Sequence, residues 1–224
     1  MKKISLLVIL ILSTTFSVYS QQQYTAEKDF TIKIIDGGNS VEITGYVGTN
    51  TDVRIPPKIQ GLPVTIIGEE AFRGGFWVFG SEVPIYNEGI KLTRVTIPNS
   101  VTTIRNYAFM DNLLTSVIIP NSVVNIGGGA FAANNLTNVT IPNSIKHISV
   151  SMFSGNQLTS ITIPSNIVSI GDWAFERNPL ISITIGSNLE FNDAFVYNFD
   201  DFYKGFRKRA GTYNYINGRW IFSQ

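Results

Sequence analysis

The chain has 224 residues, 17 of them basic and 16 acidic, with one histidine and no cysteine. That length suits one or two ordinary domains. The near-neutral balance argues against a nucleic-acid binder driven by phosphate neutralisation, and the lack of cysteine excludes disulfides, thiol catalysis and a lipid anchor on an N-terminal cysteine. Stability must therefore come from burial.

Residues 1–20 read as a secretory signal peptide. Lys2 and Lys3 give a positive start, Ile4 to Leu12 is almost wholly apolar, and Val18-Tyr19-Ser20 precedes a cut. The apolar run is shorter than the roughly 20 residues a bilayer span needs, and the polar Gln21-Gln22-Gln23 follows at once. Cleavage is expected after Ser20, leaving 15 basic and 16 acidic residues, since the removed segment takes two lysines and no acid. The mature chain is expected to be secreted or held at the cell surface or in the periplasm, with no membrane span.

Residues 24–51 are expected to form an N-terminal β cap. Phe30-Thr-Ile32-Lys-Ile34 and Val41-Glu-Ile43-Thr flank Asp36-Gly37-Gly38-Asn39, which reads as a hairpin. It leads into Val53 and Ile55, the first strand of a repeat.

The repeat occupies residues 52–188. Ile-Pro recurs at Ile97, Ile119, Ile141 and Ile163, with Ile185-Gly186 continuing the series, each step being 22 residues. Phe109, Phe131, Phe153 and Phe175 keep the same step, as do Asn112, Asn134, Asn156 and Asn178. Within one unit Val95 and Ile97 alternate with Arg94 and Thr96, the period of a strand with one face buried. Proline ends that strand because it lacks the ladder's donor. A second extended piece runs from Val101 to Ile104, and Ala108-Phe109 is expected in a short helical turn, with Asp172 able to cap the corresponding turn later. The asparagines are read as structural, joining neighbouring coils through side chains that both donate and accept. One unit cannot offset the backbone entropy of its own ordering, so units must stack.

Between Pro56 and Pro98 the step is 42 residues. Five extra residues fall between Pro57 and Thr65, and the other fifteen fall between Phe72 and Leu92, in an insertion spanning residues 73–91 that is rich in glycine and carries Phe76, Trp77, Val78, Phe79, Ile85 and Tyr86. Insertions in repeat arrays go to loops on one face. These aromatics either anchor a partner or pack back over the first repeat.

After Ile185 the pattern decays. Residues 189–224 are expected to close the stack: Phe195, Phe199, Phe202 and Phe206 on one face of a helix, then a hairpin around Asn217-Gly218. Lys204, Arg207, Lys208 and Arg209 form a small basic cluster, read as a solvated face rather than a polyanion site.

Catalytic and metal chemistry finds no support. The lone histidine, His147, should point outward and cannot build a multi-histidine metal site; no acid in its own unit completes a triad. Gly127-Gly128-Gly129 lacks the following lysine of a phosphate loop and occupies a repeat turn. No cofactor is expected. What remains is surface: the outward strand positions Arg94, Thr96, Ser116, Ile118, Asn138, Thr140, Ser160, Thr162, Ser182 and Thr184 form two columns, small and mostly uncharged.

The form Leu-Thr-x-Val-Thr-Ile-Pro-Asn-Ser-Val-x-x-Ile-Gly-x-x-Ala-Phe resembles the BspA-like leucine-rich-repeat family, with Ile163 to Phe175 a close match. Asparagine follows the Ile-Pro one residue earlier than in the common signature. The resemblance covers roughly residues 30–220. It implies a β-rich α/β solenoid, a right-handed horseshoe-like superhelix, in a secreted or surface protein that adheres to host matrix proteins or other cells. The resulting expectation is a non-enzymatic protein-binding module that contacts a host matrix protein, a cell-surface protein or an envelope component. Its contact residues would be Trp77, Phe79, Tyr86, Arg94, Thr96, Ser116, Ile118, Asn138, Thr140, Ser160 and Thr162. A self-associating envelope component is the alternative. Regular threonine columns would also suit an ordered lattice such as ice, but Arg94 and Ile118 interrupt them.

Overall fold

The computed structural model describes residues 23–78, 85–186, 190–191 and 210–223, and the backbone alone of 76–78, 85–88 and 190–191. The described residues are β-rich, with two short 3-10 turns and no α-helix. The chain winds through coils named here by their strand-ending residue: coil 1 at Ile55, then coils 2 to 6 at Ile97, Ile119, Ile141, Ile163 and Ile185.

Successive coils lie parallel in the register the sequence period requires. Asp52, Val53 and Arg54 pair with Arg94, Val95 and Thr96, and Ser160 to Ile163 pair with Ser182 to Ile185. A second parallel sheet passes from Val41–Ile43 through Ile66–Ile67 and Thr103–Ile104 to Asn125–Ile126. His147–Ile148, Ser169–Ile170 and Glu190–Phe191 form a third. The inward members of each coil, such as Val95, Ile97, Val101 and Ile104, are buried in one continuous core.

The third side of each coil holds the stack most continuously. Phe72, Phe109, Phe131, Phe153 and Phe175 are buried one above another, their ring centroids separated by 5.1, 5.4, 5.8 and 5.6 Å. Tyr46 stacks on Phe72 at 5.7 Å, carrying the column into the N-terminal hairpin. Backbone bonds accompany the rings: Phe109 N donates to Ala130 O at 2.8 Å, Phe131 N to Met152 O at 3.0 Å and Phe153 N to Ala174 O at 2.8 Å.

These turns are not helical, which corrects the sequence expectation. Tyr107, Gly129, Ser151 and Trp173 adopt φ of 56, 61, 52 and 57°, and Asp111, Ala133, Gly155 and Arg177 adopt 60, 53, 67 and 55°. Two left-handed residues in each of coils 2 to 5 reverse the backbone before a helix can propagate. Asp172 accordingly caps no helix, and its Oδ1 is buried without a protein hydrogen-bond partner.

The asparagine series bridges coils through the backbone. Asn134 Oδ1 accepts from Leu114 N at 3.1 Å, while its Nδ2 donates to Phe109 O of the preceding coil at 2.9 Å and to Phe131 O of its own turn at 3.2 Å. Asn112, Asn156 and Asn178 repeat the pattern, with Leu92, Leu136 and Leu158 as the donors to Oδ1.

At the N-terminal end Phe30–Ile35 and Ser40–Tyr46 form an antiparallel hairpin. Arg105 Nε donates to Glu42 Oε1 at 3.1 Å, tying that hairpin to coil 2. The five-residue insertion is a hairpin too, pairing Lys58–Ile59 with Pro63–Leu62. It reverses at Gln60 and Gly61, whose φ are 53 and 78°. At the other end Gly211–Ile216 and Arg219–Ser223 pair through the Asn217-Gly218 turn. The expected helix of residues 193–206, its basic cluster and the signal peptide lie outside the described residues.

Candidate functional site

The strand face is built by alternation. In each coil the residues preceding the Ile-Pro corner send one side chain to the core and the next outward, so the outward ones stack into columns at one coil per step. Arg94, Ser116, Ile118, Asn138, Thr140, Ser160 and Thr162 are exposed and Thr96 is half-buried. Ile118 stands out at 84 % exposure in an otherwise polar column. Arg94 Nη1 lies 3.7 Å from Asp52 Oδ2, its cross-strand neighbour, with both side chains solvent-accessible.

The chain's own segments border both ends of the repeat face. Thr25 N donates to Arg54 O and Thr25 Oγ1 accepts from Arg54 N, each at 2.9 Å, so residue 25 lies along the edge of coil 1. The C-terminal hairpin adds Gly211–Ile216 antiparallel to coil 6, placing Thr212 Oγ1 3.0 Å from Thr184 Oγ1. The open part of the face is therefore coils 2 to 5.

Within that part the ladder is interrupted, which the strand periodicity does not reveal. Residues 116–119 and 138–141 alternate in and out like their neighbours but belong to none of the strand ladders. Between coils 2 and 3 a cleft of about 280 Å³ opens, lined by Arg94, Thr96, Asn99, Ser116, Ile118 and Pro120 among others. A second, of about 450 Å³, lies between coils 4 and 5 and includes Asn138, Thr140, Asn143, Ser160, Thr162 and Pro164.

The aromatic insertion is a hairpin rather than a loop. Gly75–Val78 pairs antiparallel with Ile85–Glu88, setting Trp77 opposite Tyr86. Phe79 lies outside the described residues. The hairpin's root is tightly seated: a Cβ on Gly74 would fall 1.9 Å from Asp111 O. Lys91 Nζ donates to Asp111 Oδ1 at 2.9 Å, and burial raises the Asp111 carboxyl above its ordinary value, opposed by nearby Arg73.

His147 is exposed, and its Nδ1 lies 2.7 Å from Ser169 Oγ of the next coil. The pair shares a surface ladder, and Glu190 follows in register beside Ser169 rather than beside His147. A catalytic acid would have to orient the imidazole, so this order does not make a triad. Among the described residues no group of three His, Asp or Glu side chains is placed to hold a metal, and no helix is long and apolar enough to cross a membrane.

Residues 85–200 match the BspA-type leucine-rich repeat region in six copies. No curated protein matches the sequence. Among solved structures, a leucine-rich-repeat protein of T. pallidum is similar with a TM-score of 0.57 and 23% identity over 83% of this chain and 95% of its own. A leucine-rich cell surface protein of Faecalibacterium prausnitzii gives 0.49 and 20%, over 90% of this chain and 58% of its own. A leucine-rich-repeat protein of Bacteroides ovatus gives 0.44 and 20%, over 74% and 54%. With the 22-residue stack, the phenylalanine column and the asparagine bridges in the same register, the chain belongs to the BspA-type leucine-rich-repeat family.

Proposed function

We propose that the mature chain, residues 21–224, is an exported, non-enzymatic binding protein of adhesin-like role. It is secreted or held at the cell surface or in the periplasm, and it recognises a protein partner through the strand face. In this reading the coils form a right-handed horseshoe-like superhelix that presents the face. The partner is a host matrix protein, a cell-surface protein or a component of the envelope. Arg94, Thr96, Ser116, Ile118, Asn138, Thr140, Ser160 and Thr162 make the contact, and Trp77, Phe79 and Tyr86 of the hairpin add aromatic anchors. Aromatic and arginine side chains supply most of the energy in such interfaces.

One observation carries the reading. The outward side chains of coils 2 to 5, all exposed except the half-buried Thr96, lie on a surface that residue 25 borders at coil 1 and the C-terminal hairpin borders at coil 6. The chain's own segments occupy the two ends of the face and leave coils 2 to 5 as its open part. A family of interaction scaffolds supplies the context.

The test is capture from extracellular matrix and serum by residues 21–224 immobilised at the C-terminus. A specific partner is expected, with affinity reduced about a hundredfold by Trp77→Ala with Phe79→Ala and Arg94→Glu. Binding that survives all three substitutions would move the site elsewhere. Concentration-dependent assembly with no captured partner would favour a self-associating envelope component instead.

A further inference from the structure

Between Asp111 and Asp172 the only ionisable side chains are Lys146 and His147. Both precede or begin the short strand His147–Ile148, which belongs to a different sheet from the strand face. Coils 3 to 5 thus present a strand face with no charge on it. At the adjoining corner Asn99, Asn121 and Asn143 add a row of exposed amides at the same step.

Clefts open along this row. The one of about 450 Å³ lies between coils 4 and 5, inside the charge-free stretch; those of about 360 Å³ and about 280 Å³ lie before it, between coils 1 and 2 and between coils 2 and 3, the latter bordered by Arg94. Each combines a corner proline (Pro98, Pro120 or Pro164) with hydroxyl and amide side chains.

The ligand chemistry follows from what this surface lacks. A charged partner would lose hydration here with no countercharge to offset it. A neutral pyranose chain loses little, because its hydroxyls donate and accept as Ser, Thr and Asn side chains do. Its C–H faces suit proline and isoleucine surfaces. Spacing agrees as well. On the phenylalanine side the stacked rings set a coil step of 5.1 to 5.8 Å, and one pyranose ring with its glycosidic oxygen advances an extended chain by a similar length.

We infer that the charge-free strand face of coils 3 to 5 binds an extended, neutral polysaccharide laid along the stack, one ring per coil. Thr140, Asn143 and Thr162 hydrogen-bond to its hydroxyls. The inference rests on the strand face being the contact surface, as proposed above, and extends its ligands beyond protein; it does not use the aromatic hairpin.

Affinity electrophoresis of the full mature chain tests it, with gels containing hydroxyethylcellulose, a neutral β-1,4-glucan, against gels containing polygalacturonate. Retardation is expected in the neutral gel and is expected to be insensitive to added salt, since no charge is neutralised. Thr140→Ala with Asn143→Ala should weaken it about tenfold, with the fold verified by circular dichroism. Trp77→Ala with Phe79→Ala should leave it unchanged. The inference is overturned by no retardation in the neutral gel, by equal retardation of the Thr140/Asn143 variant, or by retention on polygalacturonate alone that salt abolishes. If the neutral gel fails while protein capture persists, only this inference falls. If the gel retards the chain and no protein is captured, the inference stands and the protein-binding reading falls.

Discussion

Asn134 shows what a single residue does in this fold. Its amide satisfies a buried donor, Leu114 N, and buried acceptors on two coils, Phe109 O and Phe131 O. Asn134→Ala leaves those groups unpaired in a dry interior, so a loss of about 2–4 kcal/mol is expected in urea denaturation; a loss below about 1 kcal/mol would mean that water replaces the amide. Ala133 poses the opposite case. It is exposed and held at φ 53°, a conformation costing an L-residue about 1–2 kcal/mol. Ala133→Gly is expected to stabilise the protein by up to about 1 kcal/mol after the entropy of glycine is counted, read as a higher urea midpoint. The asparagines were legible in the sequence because one residue type recurs at every step. The left-handed positions were not, since Tyr107, Gly129, Ser151 and Trp173 share a backbone angle and no chemistry.

At the scale of elements, the side of the coil that carries Phe109 to Phe175 is the continuous one. Its rings stack and its backbone is bonded from coil to coil, whereas the strand ladder breaks at coils 3 and 4. Phe131→Ala is expected to cost about 3–5 kcal/mol, because rings above and below hold the cavity open; Thr140→Ala, exposed on the strand face, should change stability by less than about 0.5 kcal/mol. Gly74→Ala tests the root of the aromatic hairpin. Its Cβ would meet the backbone oxygen of Asp111, so destabilisation of about 1–3 kcal/mol is expected, and a neutral effect in thermal unfolding would show that the hairpin can shift. The hairpins at Asp36-Gly37-Gly38-Asn39 and Asn217-Gly218 were readable from turn residues that accept positive φ. The hairpin within residues 75–88 was hidden because its glycines read as a loop. The interruption of the strand ladder was hidden for a different reason: residues 116–119 and 138–141 keep the period of a strand, and period reports which side is buried, not whether the neighbouring backbone is within bonding distance.

The described residues form a stack in which each coil contacts its neighbours, so stability accumulates along one direction. Removing one complete period, residues 124–145, joins positions that are equivalent in adjacent coils and should leave a shorter folded protein, whereas removing half a period should unfold it; circular dichroism and thermal melting distinguish the two. The register of the stack was available from the sequence alone, because 22-residue spacing of isoleucine, phenylalanine and asparagine coincides. The candidate contact residues were available only as outward positions: alternation says which side chains reach solvent, and nothing in period or composition says which of them meet a partner. Hydrogen exchange with and without the captured partner addresses that directly. Slowed exchange confined to residues 94–96, 116–118, 138–140 and 160–162, with the 75–88 hairpin, is the result expected of a strand-face binder. Slowed exchange on the phenylalanine side, with the strand face unchanged, would contradict it.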